Sequence, residues 1–216
     1  IAPDGVDLER FESLPDPARA RAELGLQDVF TAVYAGGFYP GRGLEMLEPL
    51  AQAFPQVQFL WVGGNDEQVD TWRNRLKDRD IGNVLLTGFI HNSRLPLFQA
   101  AADVLLMPYS SSFGGSGGGN IARVSSPLKM FEYLASGRAI LASDIPVLRE
   151  VLTDRTACFY QPENFEDLCR QFSTLISDSA LRGHYASAAR SKAQDYDWKR
   201  RMKGILIAAG ALPSIK

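Results

Sequence analysis

Short apolar runs alternate along the chain with longer segments whose apolar positions recur at helical spacing. Residues 29–35 form the first run, rich in β-branched and aromatic side chains, and it ends at two glycines. In residues 42–53 the apolar positions return every three or four residues, as on a helix with one buried face. The alternation continues with strands predicted at residues 57–62, 83–87, 103–108, 139–142 and 157–160, and helices predicted at residues 66–79, 95–101, 127–136 and 145–152.

From about residue 164 to residue 216 the pattern is helical, with breaks predicted near Asp178 and Asp197. Strands that alternate with helices at this spacing predict right-handed βαβ units. We therefore expect an α/β fold, a Rossmann-like parallel sheet of about six strands with helices on both faces, followed by a helical tail. A chain of 216 residues fits one such domain.

The turns after the predicted strands are the expected place for a ligand, because open parallel sheets bind ligands beyond the carboxyl ends of their strands. Glycines at several of these turns allow a backbone or a ligand to approach closely. The candidate site residues are Gly36, Gly37, Gly63, Gly64, Gly88, Phe89, Ile90, residues 108–129, Ser143 and Asp144.

The composition excludes several classes of function. The formal net charge is −2, whereas a nucleic-acid-binding domain carries a basic excess. The only cysteines are Cys158 and Cys169, which favour a reducing cytoplasm over a disulfide scaffold or a zinc site. No apolar run approaches the roughly 20 residues of a membrane span, and no signal peptide is visible. Because the chain opens at Ile1 rather than at Met, we expect that an upstream domain is absent.

The segment that begins at Ser125 carries the strongest chemical signal. Ser125 or Ser126 is placed to cap a helix whose first turn contains Pro127. A helix start reached from a Gly/Ser-rich loop attracts anions. Lys129 opposes the helix dipole, which a bound diphosphate would explain, and Glu132 can accept hydrogen bonds from two vicinal hydroxyls, such as those of a ribose. The alternative is an amphipathic helix whose Lys129 and Glu132 are merely solvated, and both interpretations stay open.

The turn after the first predicted strand gives a second, weaker signal. Gly36 and Gly37 permit close approach, and Arg42 at the start of the next helix can bind phosphate oxygens through two N–H groups. The turn has neither a Walker loop nor the dinucleotide fingerprint G-x-G-x-x-G. The alternative is a tight turn that carries a surface arginine.

Two further features predict no site. The glycine-rich residues 113–120 look like a phosphate cradle, but consecutive glycines cost too much entropy for a preformed site, so a mobile loop is expected. His91 and His184 are the only histidines, and their surroundings support neither a metal site nor a Ser-His-Asp triad.

Several short motifs follow one another in the order of a known family. They are Gly5-Val6-Asp7, Gly36-Gly37-Phe38, Val62-Gly63-Gly64, Gly88-Phe89, residues 132–137, Ser143-Asp144-Ile145-Pro146 and Tyr196-Asp197-Trp198. Together they resemble the C-terminal, donor-binding domain of retaining glycosyltransferases of the GT-B fold, family 4, also called glycosyl transferases group 1. The resemblance spans almost the whole chain. It implies one nucleotide-sugar-binding domain over residues 1–216, without its N-terminal acceptor domain.

The resemblance implies roles for three charged residues. The family's paired-glutamate motif places its second glutamate, which holds the ribose, at Glu132, whereas its first glutamate falls on Val124. The family's basic pair after the first strand falls on Gly37 and Arg42. One positive charge is therefore lost, and Lys129 is the candidate replacement.

The resemblance also implies contacts through the backbone. The diphosphate and sugar would meet Ser125, Ser126, Pro127 and Leu128. The base would lie against Phe89 and Ile90, in a pocket shaped by Gly63 and Gly64, and Gly36 and Gly37 are further expected donor-binding residues.

The implied reaction is a retaining hexosyl transfer from a nucleoside diphosphate-sugar to an acceptor sugar or glycolipid, without a metal or cofactor. Arg42, Lys129 and the helix start would stabilise the leaving diphosphate. Because the acceptor site belongs to the missing domain, we expect this chain to bind donor weakly and to be inactive alone. The resemblance suggests polysaccharide or glycolipid assembly in the cytoplasm or at the inner face of the membrane. Peripheral membrane association would come through the missing domain.

Three other functions stay open at this point. The losses at Val124 and Gly37 fit a degenerate GT-B half that acts as a non-catalytic interaction module. A GT-B-type sugar-nucleotide epimerase half would need acid and base residues poised over the sugar, and no convincing set is visible. A dinucleotide-dependent oxidoreductase would need the glycine fingerprint that is missing here.

Overall fold

A six-stranded parallel sheet forms the centre of the molecule. The computed structural model describes residues 4–111 and 127–210. The strand order is β3-β2-β1-β4-β5-β6, so the direction of winding reverses between β1 and β4. The strands are β1 Thr31–Ala35, β2 Gln58–Val62, β3 Val84–Leu86, β4 Val104–Met107, β5 Ala139–Ser143 and β6 Cys158–Tyr160.

Helices cover both faces of this sheet. Those with described bounds are α1 Pro17–Glu23, α2 Leu44–Ala53, α3 Asp66–Asp78, α4 Leu95–Ala100, α5 Leu128–Ser136, α6 Pro146–Arg149, α7 Phe165–Ser177, α8 Ser179–Ala193 and α9 Trp198–Ala208. Short 3-10 helices span Leu8–Phe11, Asn92–Arg94 and Gln194–Tyr196. Helices α2, α3 and α7 pack on one face, and α4, α5, α6 and α8 pack on the other. The predicted α/β class, with helices on both faces, is confirmed.

Successive strand residues belong to two separate cores. Tyr34 and Trp61 lie in the core beneath α2, α3 and α7, whereas Val33 and Leu60 lie in the core beneath α5 and α8. Every residue of β1, β2, β4 and β5 is buried. Strands covered on both faces read as continuous apolar runs, which is why the sequence reveals them so clearly.

The predicted strands are all present, with ends that agree to within about two residues. The predicted breaks in the helical tail are helix starts, because Asp178 and Asp197 accept hydrogen bonds from the N–H groups of Leu181 and Arg200. The helix predicted at residues 145–152 is shorter and ends at Arg149.

Helix α1 was absent from the sequence prediction, although its signals are present. Asp16 caps it by accepting from the N–H of Arg19, and Pro17 occupies its first position. Its seven residues bury little apolar surface apart from Ala20, which packs on α4. A helix this short shows almost no periodicity, so only the cap could have revealed it.

A buried carboxylate ties α2 to α3. The side chain of Glu48 is 1% exposed, and its Oε1 accepts from Arg75 Nε at 2.8 Å and forms an ion pair with Arg79 Nε at 3.1 Å. The arginine side chains are 43% and 51% exposed. The two sides of this ion pair are therefore unequal, because the cations reach water and the carboxylate does not.

We expect removal of both arginines to destabilise the chain more than removal of the carboxylate. The double variant Arg75→Ala/Arg79→Ala leaves a buried charge without a partner, which costs about 3–5 kcal/mol. Glu48→Gln costs less, because both guanidinium groups then turn to water. Urea unfolding at constant slope measures both free energies. Arg73→Ala, which removes only an exposed pair with Asp70, is the matched control and should change stability by about 1 kcal/mol or less. A double variant no less stable than Glu48→Gln would contradict this account.

Candidate functional site

The turns at the carboxyl ends of β1, β2 and β3 are bonded to one another. The N–H of Gly36 donates to the carbonyl of Val62 at 2.8 Å, and the N–H of Gly63 donates to the carbonyl of Gly88 at 3.0 Å. Gly63 has a φ of 126°, and a Cβ atom there would lie 2.2 Å from the carbonyl oxygen of Gly36. The turns therefore touch backbone to backbone, which only a glycine at position 63 permits.

A cavity of about 470 Å³ opens above these turns. Six residues predicted from the sequence line it, together with five others: Gly36, Gly37, Gly63, Gly64, Phe89 and Ile90, then Tyr39, Val62, Asn65, Gln68 and Leu95. Phe89 is 80% exposed at its edge. An exposed aromatic ring beside a glycine-lined hollow offers a flat apolar surface to a ligand.

Lys129 extends from the first turn of α5 to the end of β1. Its Nζ lies 3.9 Å from the ring centroid of Tyr34 and 5.0 Å from that of Tyr109. A Cβ atom on Gly36 would lie 2.7 Å from this nitrogen. The ammonium group is thus placed between the ends of β1 and β4, at the point where the winding of the sheet reverses.

The Lys129 ammonium group is buried, although the residue as a whole is only half-buried. Nζ has no hydrogen-bond partner in the part of the chain that the structure describes. Burial lowers the pKa of Lys129 well below its usual value, and the positive charge of Arg42 acts in the same direction, whereas Glu132 opposes them. The surroundings therefore disfavour the protonated form of Lys129, and an incoming anion would relieve that penalty.

Arg42 lies in the turn before α2 rather than within the helix, because the helix begins at Leu44. Its guanidinium carbon is 5.3 Å from the ring centroid of Tyr109. The N–H of Ser110 donates to the carbonyl of Gly41 at 3.1 Å, which holds this turn against the segment after β4. Burial raises the pKa of Tyr109 to about 12, an effect that Arg42 partly offsets. Arg42 and Lys129 thus converge on the same tyrosine.

The start of α5 differs from the predicted one. Pro127 is the residue before the helix, with φ −66° and ψ 109°, and among the described residues no side chain caps the first turn. Pro127 therefore precedes the helix instead of lying in its first turn, and the predicted cap by Ser125 or Ser126 stays a prediction. Ser125, Ser126, Val124 and residues 113–120 lie outside the described residues. Leu128, the first helical residue, is 57% exposed.

Glu132 lies one turn after Lys129 and is held by two donors. Arg10 Nη1 donates to its Oε1 at 3.4 Å, and Gln99 Nε2 donates to its Oε2 at 3.3 Å. The side chain of Glu132 is 16% exposed. Its carboxylate is therefore oriented by the protein while a small part of it still reaches the surface.

Besides the five other cavity-lining residues, Tyr34, Gln99 and Arg10 were not foreseen from the sequence. Tyr34 belongs to an apolar run that indicates only burial, whereas Tyr109 lies within the predicted range of residues 108–129 but had no role of its own in the prediction. Gln99 is fully buried within α4, where a polar residue was an available signal. Arg10 lies beside a motif that carried the family resemblance, but no spacing in the sequence connects it with Glu132.

The other features considered in the sequence contribute little to the site. Within residues 4–111 and 127–210, no group of three or more His, Cys, Asp and Glu side chains is arranged to hold a metal ion. His91 accepts from the N–H of Ser93 and caps a 3-10 helix. None of the helices in the described ranges is long and apolar enough to cross a membrane.

Known proteins resemble this chain in sequence and in fold. Phosphatidyl-myo-inositol mannosyltransferase of Mycolicibacterium smegmatis is 27% identical over 206 residues, which cover 91% of this chain and 47% of that protein. Sucrose-phosphate synthase from Thermosynechococcus elongatus has a similar structure, with a TM-score of 0.78 and 25% identity over 96% of this chain and 51% of that one. Anabaena HepE in complex with UDP gives a TM-score of 0.79 and 20% identity over 96% and 56%.

The chain spans about half the length of these relatives, with 47% coverage of the mannosyltransferase as an example. A model of the family described as glycosyl transferases group 1 matches residues 30–178, which include the glycine turns, Arg42, Lys129 and Glu132. The parallel sheet and its coverage of one half of each relative correspond to one half of a GT-B enzyme. The chain belongs to the glycosyl transferases group 1 family.

Proposed function

We propose that this chain is the donor-binding half of a retaining, metal-independent hexosyltransferase, and that it binds a nucleoside diphosphate-sugar. The observation that supports this most directly is the buried Lys129 Nζ, which has no hydrogen-bond partner among the described residues and lies beside a glycine-lined cavity. A buried ammonium group without an acceptor destabilises the fold unless a ligand supplies the missing acceptor. A diphosphate supplies negative charge and acceptor oxygens together.

The diphosphate in this proposal lies between Lys129, Arg42 and the start of α5. Within the described part of the chain, no side chain caps the first-turn N–H groups of α5, and such groups together with the helix dipole favour an anion. Negative charge develops on the diphosphate as the sugar leaves. Fixed positive groups in a poorly hydrated site stabilise that charge without a metal ion or a cofactor.

Lys129 compensates in this proposal for the charge that the family motif loses at Gly37. The lysine comes from α5 rather than from the turn after β1, yet its Nζ lies beside Gly36. The positive charge thus reaches the same end of β1 by another route. The departure at Gly37 is for this reason compatible with transferase activity.

The nucleoside in this proposal occupies the cavity beside Phe89 and Ile90. The exposed ring of Phe89 offers a stacking surface, and Glu132 accepts hydrogen bonds from the ribose hydroxyls. HepE, whose fold is similar, was solved with UDP bound, which makes UDP the first ligand to test.

The acceptor in this proposal binds a separate N-terminal domain of the same enzyme. The related mannosyltransferase is named for a phosphatidyl-myo-inositol acceptor, so a glycolipid or a sugar is the acceptor class that we propose. We place the enzyme in the cytoplasm or at the inner face of the membrane. Cys158 and Cys169 are free thiols, which agrees with a reducing compartment.

We expect calorimetric titration of the 216-residue chain to show weak binding of at least one of UDP, GDP and ADP. Glu132→Ala should lower the affinity about tenfold or more, because a hydrogen bond to a charged group is lost. Lys77→Met, which removes an exposed lysine of α3, is the control and should bind as the original chain does. If the chain binds none of the three nucleotides, a non-catalytic interaction module is favoured instead. Sugar transfer by this chain alone would contradict the expected need for an acceptor domain.

Lys129→Met is expected to stabilise the fold and to weaken nucleotide binding. The variant removes a buried donor without a partner, which is worth about 1–3 kcal/mol. The folded state lowers the pKa of Lys129, so the unfolded chain binds this proton more tightly. The free-energy cost of burying the protonated Lys129 is therefore full at a pH below the folded-state pKa, and it vanishes above the unfolded-state pKa of about 10.4. Urea unfolding should show a larger gain at about pH 6 than at about pH 10. Equal stability of both chains at the lower pH would count against a buried, uncompensated ammonium.

Nucleotide binding is expected to take up a proton at Lys129. The diphosphate raises the pKa that burial and Arg42 lower in the free chain, so affinity should fall as pH rises above the free-state pKa. Titrations in two buffers with different ionisation heats measure the proton directly. Lys129→Arg keeps its charge at all accessible pH values and should lose the proton uptake. Identical uptake in this variant would assign the proton to another group.

A further inference from the structure

Arg10 connects three parts of the site at one guanidinium group. It lies in the 3-10 helix Leu8–Phe11, and its Nη1 donates to Glu132 Oε1 at 3.4 Å. Its Nη2 donates to the carbonyl oxygen of Asn92 and, at 2.9 Å, to Asn92 Oδ1. Asn92 follows closely after Ile90 in the segment that forms a wall of the cavity. One side chain therefore holds both the carboxylate and the cavity wall.

The donors on Glu132 leave it able to accept more hydrogen bonds. Arg10 serves one carboxylate oxygen and Gln99 serves the other. An ionised carboxylate has about four acceptor positions, so room remains for two hydroxyls. Both contacts are long for hydrogen bonds, and they orient the carboxylate without saturating it.

Arg10 is presented from a segment that is itself fixed. Phe11 is 1% exposed, and its carbonyl accepts from Arg190 of α8 at 3.1 Å. Val6 forms a parallel bridge with Asp197, through bonds of 2.9 Å to the carbonyl of Tyr196 and 3.1 Å from the N–H of Trp198. The guanidinium therefore approaches Glu132 from an anchored backbone rather than from a free end.

We propose that Arg10 is a positioning residue, which sets the orientation of the Glu132 carboxylate and thereby gives the site its preference for ribose over 2′-deoxyribose. This inference rests on the proposed function. Arg10 does not touch the sugar itself. Its effect is transmitted through the acid and through the segment at Asn92, so it should act on the recognition of hydroxyls and not on the diphosphate.

The experiment compares UDP, GDP and ADP with their 2′-deoxy counterparts by calorimetric titration of the 216-residue chain. The original chain should bind the tightest ribonucleotide about tenfold more strongly than its deoxy form. Arg10→Met keeps a long unbranched side chain but removes the guanidinium group, and it should reduce this ratio to about threefold or less. Its affinity for the deoxynucleotide should stay within about twofold of the original. Glu132→Ala should remove the ratio, and adding Arg10→Met to it should cause no further loss.

Two more variants keep the result decisive. Gln99→Met removes the other donor to Glu132 and should lower the same ratio, which provides a second route if Arg10→Met fails to fold. Arg19→Ala removes an exposed arginine that pairs only with Glu23 in the described contacts, and it should leave the ratio unchanged.

The outcomes separate the two hypotheses. If Arg10→Met preserves the ratio, or lowers both affinities equally, Arg10 is only structural and this inference is overturned while the proposed function stands. If the original chain binds none of the nucleotides, or if Glu132→Ala keeps the full ratio, the proposed function fails at its own site.

Discussion

Two tyrosine rings and a glycine turn enclose the ammonium group of Lys129. The positive charge of its protonated form is poorly balanced by neighbouring groups, and the rest of the site lies around it. Burial and the neighbouring Arg42 both act against the protonated form, whereas Glu132 favours it. A folded chain tolerates such a group because the two-sided core of the sheet supplies stability elsewhere. Functional sites commonly contain groups that the isolated fold would be more stable without. The position of the charge therefore says more about a ligand than about folding.

The topology explains why these groups meet at one place. β1 lies between β2 and β4, and the chain winds in opposite directions from it. The turn after β1 is therefore open towards α5, which follows β4 in the chain, and Lys129 extends into that opening. On the other side, the turns after β2 and β3 close against it and form the cavity. One crevice thus has a charged half and an apolar half, which suits a ligand of mixed character.

Much of this arrangement was predictable from the sequence, since doubly covered strands read as apolar runs and strand ends locate the glycine turns. Gly36, Gly63, Phe89 and Ile90 line one cavity for that reason. The contact between Arg10 and Glu132 was not predictable, because it joins residues 122 positions apart and depends on how the first segment packs. The start of α5 differs from the predicted one by a single residue, since Pro127 occupies the position before the helix.

The contact of Gly63 with the carbonyl of Gly36 has a consequence for selectivity. The spacing of these turns follows from the distance between neighbouring strands, about 4.8 Å in any sheet, and not from the size of side chains. The width of the cavity above them is therefore set by the backbone. In the proposed complex, the selection between a one-ring and a two-ring base then depends on residues at the edge of the cavity. These edge residues are Tyr39, Gln68 and Phe89. A new preference for the donor base would evolve by substitution of these edge residues, while the glycine turns below the cavity stay unchanged.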